Sequence, residues 1–588
     1  MRSKFPPRLD SISLFPGIVF LRCLMLLLCM MVSPLMSQTS SSIPLKRLPE
    51  QGRAMVITTH GVVGASQTLA AAAGAKVLEE GGNAIDAAIA ANAVMGLVEP
   101  ESNGIGGDLF ALVYIAKEDK LYALNASGWS PKAMTREALV ARGHRKMPET
   151  GIDSVTVPGA VAGWHALRDR FGSLPFKRIL APAIHYAETG FPVTELIAGD
   201  WSDKDNIAKI SKQSHSRDTY RPGGKSPQIG DIFRNPDLGK TYRRIADKGR
   251  DGFYTGPNAD AIVQLMREEK GLLAADDLRD FQPEWVDPIQ TTYRGWTVYE
   301  VPPNTQGIAA LMMLNIMERF PLNEMGHNSS EALHVMIEAK KLAYADMLEQ
   351  VGDPRGAKIP VKQMLSKEYG ALRAKQIDMD SAQCAPSPLE LSHITSLPGA
   401  DTIYLTAADK DGNMVSLIQS IYLGFGSGLV APGTGFVMHN RGGLFTLDEG
   451  KTNTVGPRKR PLHTIIPAFM RKDDVKVTFG IMGGWNQAQA HAQFVSNLVD
   501  HGLNVQSALE SPRFTKRTFG GCDVEIETRV APSVLNDLKK RGHALHASKP
   551  FDSFVGNGQA ILRNEKGVLF AGSDPRKDGA AVPASPKW

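Results

Sequence analysis

Small apolar residues recur at helical spacing through residues 62–99. Ala65, Leu69, Ala73 and Val77 fall four apart on one face, and Ala84, Ala87, Ala88, Ala91 and Val94 mark a second. Faces built from small side chains let helices pack closely. Residues 108–116 (DLFALVYIA) predict a buried strand, and 299–303 (YEVPP) predict a strand running into a turn. Helical patterns follow at 307–318 and 330–350. The polar segment 378–400 has three prolines and no clear period, which predicts a surface loop or linker. Beyond it, the runs 401–406, 414–423, 464–470 and 475–480 predict strands broken by Gly and Asn turns. Helix-rich material thus precedes residue 400 and strand-rich material follows it. No internal repeat is present.

The N-terminal stretch has another texture. Arg2, Lys4 and Arg8 precede an apolar run densest over 23–32 (CLMLLLCMMV), and small or polar residues follow at Ser33, Ser37 and Gln38. Basic, then apolar, then small is the order of a secretory signal peptide. Arg22 interrupts the run and leaves it short for a membrane span. The expectation is a leader of residues 1–37 and a periplasmic or secreted mature chain, membrane-anchored if the leader is not removed.

Composition narrows the class. The chain has 588 residues, 43% hydrophobic and 22% charged, which argues against disorder and fibrous repeats. Its length exceeds that at which single cores usually stop growing, so two domains or one large layered body is expected. Four cysteines cannot make a disulfide scaffold. Two of them, Cys23 and Cys29, lie in the leader; Cys384 and Cys522 remain, able to form one disulfide that nothing in the sequence demands. The leader's four basic residues and one acidic residue account for most of the net charge of +5, so no nucleic-acid partner is implied.

Several motifs fail their context tests. Gly104-Ile105-Gly106-Gly107-Asp108 resembles a dinucleotide loop but lacks the third glycine, and a strand follows it. Ser427 has Phe425 where a nucleophile elbow needs glycine. His334 and Glu338, four apart on a predicted helix, read as a polar face, and His543 and His546 as a solvated pair. No Cys/His cluster has zinc spacing, and there is no phosphate-binding loop.

The stretch 399–413 reads GADTIYLTAADKDGN: a strand opening on Thr402 and closing on an Asp411-Gly412 turn. Further segments are GGNAIDAAIAAN (81–92), SNGIGGD (102–108), VPGAVAGW (157–164), FYTG (253–256) and EAKKLAYAD (338–346). Downstream come FGSG (425–428), GPRKRPLHT (456–464), GGWNQ (483–487), SPRF (511–514) and SDPR (573–576). No single segment is specific, but their order resembles the γ-glutamyltransferase family over nearly the whole mature chain.

That resemblance implies an α+β fold, the four-layer αββα sandwich of the N-terminal-nucleophile hydrolases. It implies a precursor that cuts itself at Asp401–Thr402 into a large piece (38–401) and a small piece (402–588), which share one sandwich as a heterodimer. A Thr hydroxyl is a poor nucleophile without a base beside it. Cleavage frees the Thr402 α-amine, whose pKa of roughly 8 suits that role. Gly399 and Ala400 leave room for the hydroxyl to attack its own preceding carbonyl. Gly483 and Gly484 match the family's oxyanion-hole pair, and Ser420 stands where the family has a Thr whose hydroxyl bonds the nucleophile. No metal or organic cofactor is implied. The implied substrate is a small-molecule or peptide amide, and the acceptor is water, an amino acid or a dipeptide.

The sequence departs from the family where glutathione-cleaving members clamp the glutamyl group. Ser127 replaces their Arg, Leu444 their Asp, Tyr422 their Asn, and His463-Thr464 their serine pair. Losing charge-assisted contacts to a zwitterion costs several kcal/mol. Arg441 offers a replacement cation and, with Tyr422 and His463, is expected to frame an acyl pocket for a carboxylate. Hydrolysis or transfer of glutathione-like γ-glutamyl amides leads the expectations, as the dominant family activity. The alternative is an acylase of other amides, glutaryl- or cephalosporin-acylase-like. A degenerate binding protein is a third reading, against which the retained Thr402, Ser420 and Gly483-Gly484 argue.

Overall fold

The structure, a computed structural model, describes residues 43–385 and 402–586. The leader, Asp401 and most of the 378–400 loop lie outside the described residues. Two seven-stranded antiparallel sheets dominate. The first runs in the order Val56–Thr58, Leu569–Ser573, Gly558–Arg563, Val475–Ile481, Ala468–Lys472, Trp296–Glu300, Ile289–Tyr293. The second runs Ala580–Pro583, Gly61–Ala65, Ile403–Asp409, Met414–Ser420, Asp108–Ile115, Lys120–Ala126, Glu284–Val286. Both sheets interleave strands from before and after position 401. The change of texture near residue 400 is therefore no boundary between folding units.

Helices cover the outer faces, giving the order helix, sheet, sheet, helix. Thr68–Glu79 and Ala84–Val98 lie on the second sheet. The first of them starts after Gln67, whose side chain accepts from the Leu69 and Ala70 N–H groups. Ala65 ends the preceding strand instead of opening that helical face as its spacing suggests. Ala84–Val98 starts at a capping box of Asn83 and Asp86, and all 15 of its residues are buried. Its alanines let it pack on a helix and on two central strands at once. Gly307–Met317 and Gln487–Val499 cover the first sheet.

The sheets meet face to face through Tyr404, whose ring lies where a Cβ on Gly480 would be 2.4 Å away. The Tyr404 hydroxyl bonds Ser416 Oγ at 2.7 Å, and Thr406 bonds Thr478 across the sheets at 2.7 Å. These pairs give the buried Tyr404, Thr406, Ser416 and Thr478 hydroxyls partners between the sheets.

Cys384 and Cys522 form a disulfide. His334, Glu338 and His543 are all buried, contrary to the polar-face and solvated readings. His334 Nδ1 meets His543 Nε2 at 2.8 Å, and Glu338 accepts from Lys341 at 2.7 Å. The periodicity of Ser330–Gln350 misleads because the Pro532–Lys540 helix covers that polar side.

Candidate active site

Thr402 immediately precedes the Ile403–Asp409 strand, at an end of the second sheet. The register Ile403↔Gln419 sets Thr402 opposite Ser420, and Ser420 pairs with Asp108 on the next strand. Continuing from Leu109↔Ala126, Asp108 faces Ser127. Thr402, Ser420, Asp108 and Ser127 thus form a polar row across four strands, and all four are buried. Thr402 Oγ1 has no hydrogen-bond partner among the described residues, an uncommon state for a buried hydroxyl. Ser420 Oγ accepts the Tyr422 N–H at 2.8 Å. The glycine-rich loop before Asp108 is a packing device: a Cβ on Gly107 would fall 2.4 Å from the Ser420 carbonyl oxygen.

Gly483 and Gly484 have φ of +114° and +58°, a backbone that glycine adopts without strain. They lie between the Val475–Ile481 strand and the Gln487–Val499 helix. The Gly483 carbonyl accepts the Asn486 N–H at 3.0 Å. Asn486 Nδ2 donates to the Val555 carbonyl at 2.8 Å, and Gln306 Nε2 to the Gly484 carbonyl at 2.8 Å. Gln306 also donates to the Thr464 carbonyl and accepts from the Tyr344 hydroxyl at 3.0 Å. The loop carbonyls are thereby anchored on the protein side.

Arg441 is fully buried. Its Nη1 donates to Thr464 Oγ1 at 2.8 Å, and its guanidinium lies 4.7 Å from the Tyr422 ring centre. Nε and Nη2 have no partner among the described residues. Burial pulls its pKa down to about 10, while Asp108 works the other way. Tyr422 has φ of +80°, rare for a bulky residue and frequent where function holds a strained backbone.

His463 Nε2 bonds Asp108 Oδ2 at 3.0 Å, and its Nδ1 accepts the Ile465 N–H at 3.4 Å. Burial holds His463 down to about 3, so the ring is neutral. Burial alone would raise the Asp108 pKa; the His439 and His463 contacts outweigh it and keep the carboxylate ionised. Ser127 Oγ donates to Asn125 Oδ1 at 2.7 Å.

Thr402 and Gly483 share the wall of a cavity of about 560 Å³. Five carboxylates (Glu149, Asp200, Asp203, Asp205, Asp552) and three cations (Lys209, Arg517, Lys577) also line it. Tyr422, Arg441, His463, Thr464 and Ser127 are not among its lining residues; all five are buried. Asp108, Gln306, His439 and Asn486 carried no assignment from sequence. Asp108 closes the SNGIGGD segment and Asn486 lies in GGWNQ, so both stood inside segments that carried the resemblance without a role of their own, whereas Gln306 and His439 lie outside those segments.

The Gamma-glutamyltranspeptidase family model matches residues 70–584. The glutathione hydrolase-like YwrD proenzyme of Bacillus subtilis is 36% identical over 532 residues, covering 90% of this chain and 99% of the relative. The oxamate amidohydrolase proenzyme of Klebsiella pneumoniae is 35% identical over 536 residues, covering 90% and 99%. Among solved structures, the cephalosporin acylase of Bacillus halodurans superposes with a TM-score of 0.84 at 41% identity, covering 93% of this chain and 99% of that one.

Proposed function

The chain belongs to the γ-glutamyltranspeptidase family of amide-cleaving enzymes, and from that premise we propose that it is a self-processing threonine amidohydrolase whose acyl substrate carries a carboxylate but no neighbouring ammonium. One observation supports the chemistry above all. A buried Thr402 hydroxyl without a partner among the described residues stands opposite Ser420 and shares a cavity wall with Gly483.

The first turnover is on the chain itself. Thr402 Oγ attacks the Asp401 carbonyl, the peptide C–N bond breaks, and the acyl group passes to oxygen while nitrogen becomes the free α-amine. Water hydrolyses that ester, leaving the Asp401 carboxylate and a regenerated hydroxyl. In later turnovers the α-amine takes the hydroxyl proton, and Oγ attacks the substrate amide. The developing oxyanion faces the Gly483-Gly484 N–H groups, and such donors are worth about 3–4 kcal/mol. The leaving amine departs with the proton, and water or an amine then accepts the acyl group. The large and small pieces remain one sandwich as a heterodimer.

Arg441 supports the acyl preference. It is a buried cation whose Nε and Nη2 have no partner among the described residues, and a substrate carboxylate that reaches past the cavity wall would satisfy both. The nearby carboxylate, Asp108, is already engaged by His463 and by the Gly128 N–H at 2.8 Å. Leu444 fills the position of the family's ammonium-binding Asp. A panel of anilides tests this. Glutaryl or shorter dicarboxylic monoanilides should turn over faster than γ-glutamyl anilide; the reverse order overturns the preference. Glutathione-like amides are the second reading, favoured by the YwrD relative's similarity.

Export is proposed from the leader pattern, and the Cys384–Cys522 pair agrees with an oxidising compartment. Fractionation with and without residues 1–37 tests it.

A further inference from the structure

We infer that the Cys384–Cys522 disulfide becomes a covalent tether between the two pieces once the chain is cut, so that the mature heterodimer is one covalent molecule. This rests on the proposed cut at Asp401–Thr402. Cys384 lies upstream of that bond and Cys522 downstream, 138 positions apart in sequence.

The geometry around the pair is set by both pieces. The Ala382 N–H donates to the Arg541 carbonyl at 2.6 Å, and the Gly521 N–H to the Cys384 carbonyl at 2.8 Å. Lys341, on the Ser330–Gln350 helix, donates to the Gln383 carbonyl at 2.9 Å and to Glu338 at 2.7 Å. The Gln383 N–H reaches Glu338 Oε2 at 3.3 Å. The backbone at 382–384 is thus held between the large piece's helix and the small piece's Gly521 and Arg541, so contacts other than the bond itself bring the two cysteines together. Cys522 is buried and Cys384 exposed.

Formation is a thiol–disulfide exchange. Two cysteine thiols give up two electrons and two protons to a small disulfide or an oxidised dithiol protein, which becomes two thiols. Before the cut, the bond closes a loop within one chain. Afterwards the same bond converts an assembly held by packing alone into one that dilution cannot separate. The 382–384 segment also anchors the large piece near its new end, and the seam between the pieces is sealed there without help from the sheets.

The test is a pair of gels on the purified mature protein, with free thiols blocked by iodoacetamide before denaturation. The expected result is one band at the combined mass without reductant and two bands with dithiothreitol, whose own thiols become the cyclic disulfide. Cys384→Ser should give two bands in both lanes. Two bands from the wild type in both lanes overturn the tether and leave the cut intact. One band in both lanes overturns the cut, and with it any link between pieces. A non-reduced digest should contain the Cys384 peptide joined to the Cys522 peptide; either cysteine found alkylated throughout, or joined to a second copy, overturns the tether.

Discussion

His463 Nε2 lies 3.0 Å from Asp108 Oδ2, and the other ring nitrogen accepts the Ile465 N–H. Both nitrogens are engaged by the protein, so His463 serves to hold Asp108 in place, with its ring edge-on to Phe110. Asp108 holds the histidine on one side and offsets the charge of Arg441 on the other. Removing one partner from a buried charge pair costs about 3–5 kcal/mol. Asp108→Asn should therefore lower unfolding free energy by that order in urea melts of the uncut Thr402→Ala precursor. Adding Arg441→Leu should recover part of the loss, with a coupling of about 0.5–3 kcal/mol. Additive losses would show that the two charges do not interact.

Arg441 itself is expected to act on binding. A charge-assisted contact to a carboxylate is worth about 1.5–3 kcal/mol, so Arg441→Leu should raise KM for dicarboxylic monoanilides by about 10- to 150-fold. Its effect on an uncharged acyl anilide should be small. Equal effects on both substrates would place Arg441 in the scaffold only.

How far the elements and the candidate site could be read from the sequence differs from residue to residue. Thr402, Gly483 and Gly484 sit in segments whose residue types are dictated by backbone approach and chemistry, so short motifs carry them. The helices 307–318 and 330–350 declared themselves by period. Asp108 did not, because its role depends on three strands and the 439 and 463 loops meeting at one sheet end, and none of that pairing is local. His543 was misread for the same reason: a polar segment looks solvated until a helix from far upstream closes over it. The division near residue 400 followed a real change in local texture, yet strand pairing is long-range and threads both halves through both sheets.

Thr402→Ala should abolish cleavage and reduce turnover by at least about 10⁴-fold, as removal of a nucleophile does elsewhere. Thr402→Ser should keep both at a reduced rate, because the hydroxyl and the α-amine survive. Reducing gels with N-terminal sequencing of the smaller fragment read the cut, which should begin TIYLTAAD. A Thr402→Ala chain that still processes would remove Thr402 from the mechanism.

Gly483→Ala tests the proposed oxyanion loop. A side chain at φ +114° is strained, and its Cβ would sit 3.2 Å from Asn486 Cβ, so the Gly483–Asn486 turn must shift. The expected result is a loss in kcat of about 10²–10³-fold with KM nearly unchanged, since the N–H donors act in the transition state. A KM effect without a kcat effect would assign the glycine to substrate binding.

The buried histidines give a pH signature that one variant isolates. Burial holds His463 down to about 3, whereas an unfolded histidine takes its proton near roughly 6.5. Below that pH the unfolded chain binds a proton that the folded chain refuses. The stabilising effect of a neutral His463 is therefore complete above 6.5 and is lost as pH falls toward 3. At pH 5 the loss from one such group is about 2 kcal/mol. His463→Gln keeps an N–H that can reach Asp108 and does not titrate. In the uncut Thr402→Ala background, the wild-type site should lose about 2 kcal/mol more than the His463→Gln site between pH 7.5 and pH 5. Parallel stability profiles for the two proteins would mean that His463 is protonated in the folded state, and that its bond to Asp108 is an ion pair.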